Sequence, residues 1–113
     1  LNPLTHQGQI DGAVVMGFGY GLLEQIGYDE SGKVLASNMG EYKIPCIKDV
    51  PALETTILQS DFGSGPYNSM SIGETALIPT AAAIANAVED AVGVRIKSLP
   101  ITAEKVLHAL KVC

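Results

Sequence analysis

The stretch GSGPYNSMSIGE, residues 63–74, precedes the most helix-prone segment of the chain. It consists largely of turn-forming residues and ends in a single carboxylate, Glu74. Glycine lets the backbone approach a ligand closely, and a loop rich in glycine and serine that leads into a helix presents backbone N–H groups that suit anions. Two interpretations of Glu74 stay open at this point: it stabilises the N-terminus of the following helix, or it is a placed acid–base group.

The segment after this loop, residues 76–92, is predicted to be the strongest helix of the chain. It is rich in alanine, the best helix former, and Ile84, Val88 and Val92 form an apolar stripe. Pro79 falls early enough for the first helical turn to tolerate it. Gly93 is expected to end the helix.

Two strands are predicted on either side of this helix. Residues 54–59 are rich in β-branched side chains, and residues 94–99 form a second apolar run that Pro100 ends. Thr102 is then expected to cap a last helix that runs to about residue 111. The side chains predicted to face inward from that helix are Val106, Leu107 and Leu110.

The first half of the chain begins with a predicted helix over residues 6–25. Ile10, Val14, Phe18 and Leu22 repeat at helical spacing, and Gly27 is expected to end the helix. Each glycine inside a helix costs ~1 kcal/mol relative to alanine. The glycines of this segment therefore predict close packing against another backbone or a bulky ligand. Residues 17–21, GFGYG, do not favour a dinucleotide site, because no strand precedes them.

A hairpin is predicted across residues 28–35, with its turn at Glu30-Ser31-Gly32. Residues 42–45, YKIP, form a short extended piece that ends at a proline. The predicted order is helix, hairpin, strand, helix, strand and helix, which is an α/β arrangement of mixed layers. We interpret residues 1–113 as a single domain or fragment, since LNPL is typical of internal sequence.

Composition and charge argue against several classes of partner and site. The chain has 113 residues, a net charge of −5 and no basic cluster, so nucleic acid is not an expected partner. Cys46 and Cys113 stand far apart in no paired motif and are expected to be free, partly buried thiols. The apolar run 13–23 is shorter than the ~20 residues of a membrane span and lacks a basic leader. No membrane association and a cytoplasmic location are therefore expected.

Several separated motifs occur together in one order: GQIDGA at residues 8–13, GFG at 17–19, YKIP at 42–45, Gly73-Glu74 and LPIT at 99–102. The whole chain thereby resembles the C-terminal part of the molybdenum cofactor-binding subunit of the xanthine dehydrogenase/aldehyde oxidase family, the molybdenum hydroxylases. The resemblance implies the fold of the C-terminal portion of the molybdopterin-binding domain. It also implies oxidation of a heterocycle or an aldehyde with oxygen derived from water.

The resemblance assigns roles to individual residues. Glu74 matches the family's general base, and Gln9 matches a glutamine beside the pterin. Without the resemblance, Gln9 is equally explained as a polar residue near a helix N-terminus. Gly8 and Gly12 are expected to be small because the cofactor or a neighbouring backbone lies close. The backbone N–H groups expected to face the cofactor belong to Asn68, Ser69, Met70, Ser71, Ile72 and Gly73.

The chain departs from the family pattern at two places. Met70-Ser71 stands where many members have lysine followed by a small residue, and Thr75 stands where many have proline. Neither change removes the carboxylate of Glu74. Met70 removes a positive charge near the cofactor, so substrate preference does not transfer from other members.

The family's subunit is much longer than this chain, which implies that partners complete the site. The expected partners are the remainder of the molybdenum subunit and subunits that carry iron–sulfur clusters and any flavin (FAD). The isolated chain is expected to be inactive and to self-associate through uncovered apolar surface. The alternative function is a non-catalytic assembly or interaction module that keeps the fold.

Overall fold

The structure is a computed structural model that describes residues 2–111. Within this range three α-helices form, α1 Pro3–Leu22, α2 Thr80–Val92 and α3 Ala103–Lys111. A 3₁₀ turn spans Pro66–Asn68. Cys46 is a free thiol, as predicted, but it is exposed rather than partly buried, whereas Cys113 lies outside the described residues.

The predicted α/β class is not confirmed, because no strand ladder forms within residues 2–111. Residues 54–59 and 94–99, both predicted as strands, have irregular backbone. A strand needs a neighbour to satisfy its backbone hydrogen bonds, and no segment in the described range pairs with either one. The predicted turn at residues 30–32 does form, since an isolated antiparallel bridge joins Tyr28 to Val34.

Helix α1 begins earlier and ends earlier than the predicted 6–25. The Asn2 side-chain oxygen accepts a hydrogen bond from the Thr5 N–H at 3.2 Å, and Pro3 occupies the first turn, where a missing N–H costs nothing. At the other end, Leu23 donates its N–H to the Gly19 carbonyl at 2.8 Å. The prediction that Gly27 ends this helix was therefore wrong.

Helices α1 and α2 pack together through small residues. A Cβ on Gly21 would lie 3.3 Å from the Ile84 side chain and 3.8 Å from Ala81, and Ala13 and Ala81 are both buried. Glycine at position 21 thus leaves space for the close approach of the two helices that the glycine-rich sequence predicted. The contact holds α1 rigidly against the start of α2.

Helix α2 begins at Thr80 rather than at residue 76. Residues 73–79 form turns instead, because the residue before Pro79 is disfavoured in helical backbone. The Thr80 hydroxyl donates to the Ala76 carbonyl at 2.8 Å and links this turn to the helix. At the other end, Gly93 has a φ of 74° and ends the helix as predicted.

The segment before α3 is tied to the end of α1. Ile101 is only 4% exposed, and its N–H donates to the Gly21 carbonyl at 2.7 Å. Thr102 caps α3 as predicted, since its hydroxyl accepts from the Lys105 N–H at 3.2 Å. The inward-facing prediction was wrong for Leu107 and Leu110, which are 51% and 45% exposed, because no described element covers that face.

Residues 42–45 pack beside the end of α1 without forming a strand. The Tyr42 hydroxyl donates to Glu24 Oε2 at 3.0 Å, and this hydrogen bond raises the pKa of Tyr42. A Cβ on Gly19 would lie 3.0 Å from the ring of Pro45. Gly19 therefore leaves room for this segment.

The chain exposes far more surface than an independent domain of its size. Its accessible area is 8615 Å², whereas a compact monomer of this mass exposes about 5,900 Å². Its radius of gyration is 17.7 Å, against about 13 Å for a compact domain of this length. Among the helices of residues 2–111, none combines the length and apolar character that a membrane crossing requires.

Candidate active site

Two cavities lie along one side of α1, and Gln9 lines both. The smaller has a volume of about 320 Å³ and is lined by α1 residues and by the turn at Gly73 and Glu74. The larger, about 920 Å³, is lined by the start of α1, residues 56–62 and residues 67–72. Every residue assigned to the site by the resemblance therefore lines one of these two cavities.

A hydrogen bond joins the two site segments that are farthest apart in sequence. Gln9 donates from Nε2 to the Gly73 carbonyl at 2.9 Å. The residue assigned to the cofactor thus contacts the peptide that carries Glu74. The packing of α1 against α2 supports this contact between Gln9 and the Gly73 carbonyl.

Glu74 has a fixed backbone and a free side chain. Its carbonyl accepts the N–H groups of Leu77 at 3.0 Å and Ile78 at 3.3 Å. The side chain is exposed, and within residues 2–111 it takes part in no side-chain hydrogen bond or ion pair. The first turn of α2 contains no acidic residue. Glu74 therefore lies outside the first turn of α2, and its carboxylate has no hydrogen-bond or ion-pair partner within residues 2–111.

The loop before Glu74 has backbone N–H groups that the described chain leaves without an acceptor. Those of Met70, Ser71 and Ile72 donate to no group within residues 2–111. Ser69 differs, because its N–H donates to the Pro66 carbonyl at 3.1 Å. Three successive free donors suit an anionic ligand such as the phosphate of a pterin cofactor.

A tight turn holds this loop in shape. Tyr67 and Asn68 have φ values of 56° and 58°, a left-handed conformation uncommon for residues other than glycine. The Gly65 N–H donates to the Ser69 carbonyl at 3.1 Å and closes the turn. Such local strain persists where the surrounding structure determines it and is frequent at ligand sites.

Glycines open the smaller cavity on the side of α1. A Cβ at Gly8, Gly12 or Gly73 would meet no atom within 4 Å, so the space beside them is empty of protein. Glycine inside α1 lowers helix propensity, and no contact among residues 2–111 explains Gly8 and Gly12. The open space, the free N–H groups and the Gln9 amide together fit a bound pterin cofactor.

Sequence reasoning missed several lining residues. Ala13, Met16 and Leu77 also line the smaller cavity, and His6, Ile10 and residues 56–62 line the larger one. Helical spacing from Gln9 through Gly12 to Ala13 and Met16 could have identified the first group. No sequence signal marks residues 56–62.

The structure shows no metal site within residues 2–111, because no three potential metal-ligating side chains cluster there. His108 is exposed and lies apart from both cavities.

Comparison with known proteins finds relatives that match along nearly the whole chain. The family profile described as a molybdopterin cofactor-binding domain matches residues 1–51, which include α1 and Gln9. The xanthine dehydrogenase molybdenum-binding subunit of Escherichia coli is 42% identical over 106 residues, which are 93% of this chain and 14% of that protein. The aldehyde oxidoreductase molybdenum-binding subunit PaoC of the same species is 38% identical, across 97% of this chain and 15% of its own length.

A solved structure shows the same likeness in three dimensions. Quinoline 2-oxidoreductase from Pseudomonas putida 86 superposes with a TM-score of 0.85 and 30% identity, over 97% of this chain and 14% of that one. The chain thus spans about a seventh of the length of the relatives it matches. It belongs to the family of molybdenum-binding subunits of xanthine dehydrogenases and aldehyde oxidoreductases.

Proposed function

We propose that this chain forms part of the active site of a molybdenum hydroxylase. Glu74 is the general base, and Gln9 with residues 68–73 forms part of the wall that binds the pterin cofactor. The substrate is a heterocycle or an aldehyde, and the oxygen added to it comes from water. The chain acts only when the rest of the molybdenum subunit completes the site.

The hydrogen bond between Gln9 and the Gly73 carbonyl is the observation that supports this proposal most strongly. The family resemblance assigns Gln9 to the cofactor and Glu74 to proton transfer. Both residues line the same smaller cavity. An unrelated glutamate near a helix start has no reason to lie beside an open glycine-lined space. The free carboxylate and the open space suit a base that acts on a bound molecule.

The chemistry divides between the cofactor and the protein. When bound, the molybdenum cofactor supplies the two-electron redox step of the oxidation. The substrate C–H bond becomes C–OH, one water is consumed, and two protons and two electrons are released. Glu74 takes up a proton from the water that provides the oxygen. The two electrons pass to iron–sulfur clusters, and to any FAD, on other chains or domains.

The partners of the chain follow from its uncovered surface. The accessible area of 8615 Å² exceeds that of a compact monomer by roughly 2,700 Å². Apolar side chains around the larger cavity, including Leu58, Phe62 and Met70, are exposed. The remainder of the molybdenum subunit is the expected cover for this surface. In that setting the chain is one portion of an α/β molybdopterin-binding domain, in which residues 54–59 and 94–99 find strand partners.

Glu74→Gln in the assembled enzyme tests this function. The amide keeps the shape of the side chain but cannot take up the proton. Steady-state turnover should fall by about 10²- to 10⁴-fold, with molybdenum content unchanged. Glu30→Gln is the matched control, because Glu30 lies on the exposed turn at residues 30–32, away from both cavities. Full turnover by the Glu74→Gln enzyme would overturn the assignment.

The large uncovered surface also favours a second candidate, a non-catalytic assembly module. This function needs the apolar surface but not the carboxylate. It predicts that Glu74→Gln assembles and turns over normally, whereas loss of exposed apolar residues prevents assembly.

As part of the first proposal, the assembled enzyme is located in the cytoplasm. Fractionation of cells that make the assembled enzyme tests this location.

A further inference from the structure

We propose that Gln9 is a positioning residue for Glu74, in addition to its contact with the cofactor. Its side-chain amide holds the Gly73 carbonyl and thereby fixes the peptide that joins Gly73 to Glu74. This inference rests on the proposed function, since it concerns the same carboxylate. It assigns to Gln9 an effect on catalysis that acts through another residue.

Both peptide groups that flank Glu74 are held, each by a different part of the chain. The carbonyl on its N-terminal side, that of Gly73, accepts from Gln9 on α1. The carbonyl of Glu74 itself accepts from Leu77 and Ile78 in the turn before α2. With both neighbouring peptide planes fixed, the direction in which the Glu74 side chain leaves the backbone is set.

Without Gln9, the N-terminal side of Glu74 has little else to hold it. Gly73 is exposed, and a Cβ there would touch nothing within 4 Å. The N–H groups of Ser71 and Ile72 bond to nothing within residues 2–111. In that described range, the Gln9 hydrogen bond is the one side-chain hydrogen bond that joins α1 to residues 63–79.

Helix α1 is a suitable support for this role. It packs against α2 through Gly21 and Ala81, and the Gly21 carbonyl also accepts the Ile101 N–H. Gln9 is therefore carried by a helix whose later turns pack against α2. The hydrogen bond ties Gly73, which follows the free N–H groups of residues 70–72, to that helix.

The chemistry of a glutamine side chain allows both of its roles at once. Only the amide nitrogen can donate to a carbonyl, so Nε2 must face Gly73. The amide oxygen Oε1 then stays available to accept a hydrogen bond from another group. Because Gln9 lines both cavities, it can contact the cofactor while it holds the Gly73 peptide.

Gln9→Met in the assembled enzyme tests the positioning role, because methionine keeps the length of the side chain and removes the donor. We expect kcat to fall by up to about 100-fold, the effect of a small displacement of a catalytic group. KM should change little, and molybdenum content, which reports the simultaneous loss of the Oε1 acceptor, should fall by much less than kcat. Gln25→Met makes the same chemical change at an exposed glutamine outside both cavities and should leave kcat unchanged.

A double-mutant cycle separates positioning from a merely structural effect. If Gln9 acts through the base, Gln9→Met should cause no further loss in the Glu74→Gln enzyme. Hydrogen exchange supplies a readout independent of activity: the peptide covering residues 70–78 should exchange faster in Gln9→Met, with residues 81–91 unchanged.

Several results would overturn the role. The first is a loss of kcat in proportion to lost molybdenum, which would leave Gln9 as a cofactor ligand only. The second is an equal fold loss in both backgrounds, or unchanged exchange of residues 70–78. The third is normal turnover by Glu74→Gln, which would remove the base itself and the proposed function with it. An inactive Glu74→Gln enzyme together with a fully active Gln9→Met enzyme would refute the positioning role alone.

Discussion

Gly17 of α1 lies so close to Thr80 of α2 that a Cβ on Gly17 would stand 2.5 Å from the Thr80 Cβ. This contact sets the distance between the helix that carries Gln9 and the helix that follows Glu74. The geometry of the candidate site therefore depends on a pair of residues that do not line it. Space at Gly17 is a requirement of packing rather than of ligand binding.

Gly17→Ala is expected to destabilise the protein. In an open helix this change would stabilise by ~1 kcal/mol, but here the methyl group must displace Thr80, and overpacking costs about 1–3 kcal/mol. Thermal unfolding should show a lower Tm. The double variant Gly17→Ala, Thr80→Ser, which removes the Thr80 methyl group, should regain part of the loss. A higher Tm for Gly17→Ala alone would mean that the two helices do not approach as described.

Gly12→Ala should have opposite effects on stability and on cofactor content. A Cβ at Gly12 meets nothing within 4 Å, so helix propensity should raise the free energy of unfolding by about 1 kcal/mol. The methyl group also enters the smaller cavity, so molybdenum content should fall. Calorimetry and metal analysis of the same preparation check both effects. A stabilised enzyme with full molybdenum content would show that the cofactor does not lie against Gly12.

Thr55→Val should loosen the segment that lines the larger cavity. The Thr55 hydroxyl donates to Asp11 Oδ1 at 3.2 Å, and the same oxygen accepts from Gln7 Nε2 at 2.8 Å. Loss of one such hydrogen bond typically costs about 1 kcal/mol. Limited proteolysis should then cut faster within residues 54–62. The neighbouring Thr56→Val is the control, because no side-chain hydrogen bond involving Thr56 occurs within residues 2–111; equal cleavage of both variants would contradict the prediction.

The turn at residues 29–33 should weaken in acid. The Ser31 hydroxyl and the Lys33 N–H donate to the Asp29 carboxylate, which lowers the pKa of Asp29 below its usual 3.8. A carboxyl group with a lowered pKa contributes stability above its unfolded pKa, and that contribution is lost as pH falls through the folded value. NMR titration of the Asp29 carboxyl carbon measures this pKa. Ser31→Ala should raise it towards 3.8, and an unchanged value would show that the hydroxyl is not its main cause.

Signals that depend on a few neighbouring residues predicted the structure well. Gly93 and Thr102 mark helix ends, and the turn around Gly32 forms where expected, because each needs only local backbone geometry or one side-chain hydrogen bond. The start of α2 was misplaced because the restriction before Pro79 outweighs the propensity of the residues that precede it. Local signals therefore predicted the structure correctly wherever it does not depend on contact with a distant segment.

Features that need a distant partner were predicted less well. The β-branched residues of 54–59 favour a strand, yet no described segment pairs with them. Leu107 and Leu110 have the spacing of an inward face, but nothing in the described chain covers them. The hydrogen bond from Gln9 to Gly73 spans 64 residues, and no spacing rule predicts it. Only the family resemblance indicated that these two motifs serve one site.

The most direct test of the account is the rate of substrate oxidation in a single turnover, measured without an electron acceptor in the Glu74→Gln enzyme. This rate isolates the chemical step from product release and from electron transfer to partner subunits. We expect it to fall by about 10²- to 10⁴-fold, while molybdenum content matches that of the unmodified enzyme. An unchanged rate at full molybdenum content would contradict the central claim that Glu74 moves the proton.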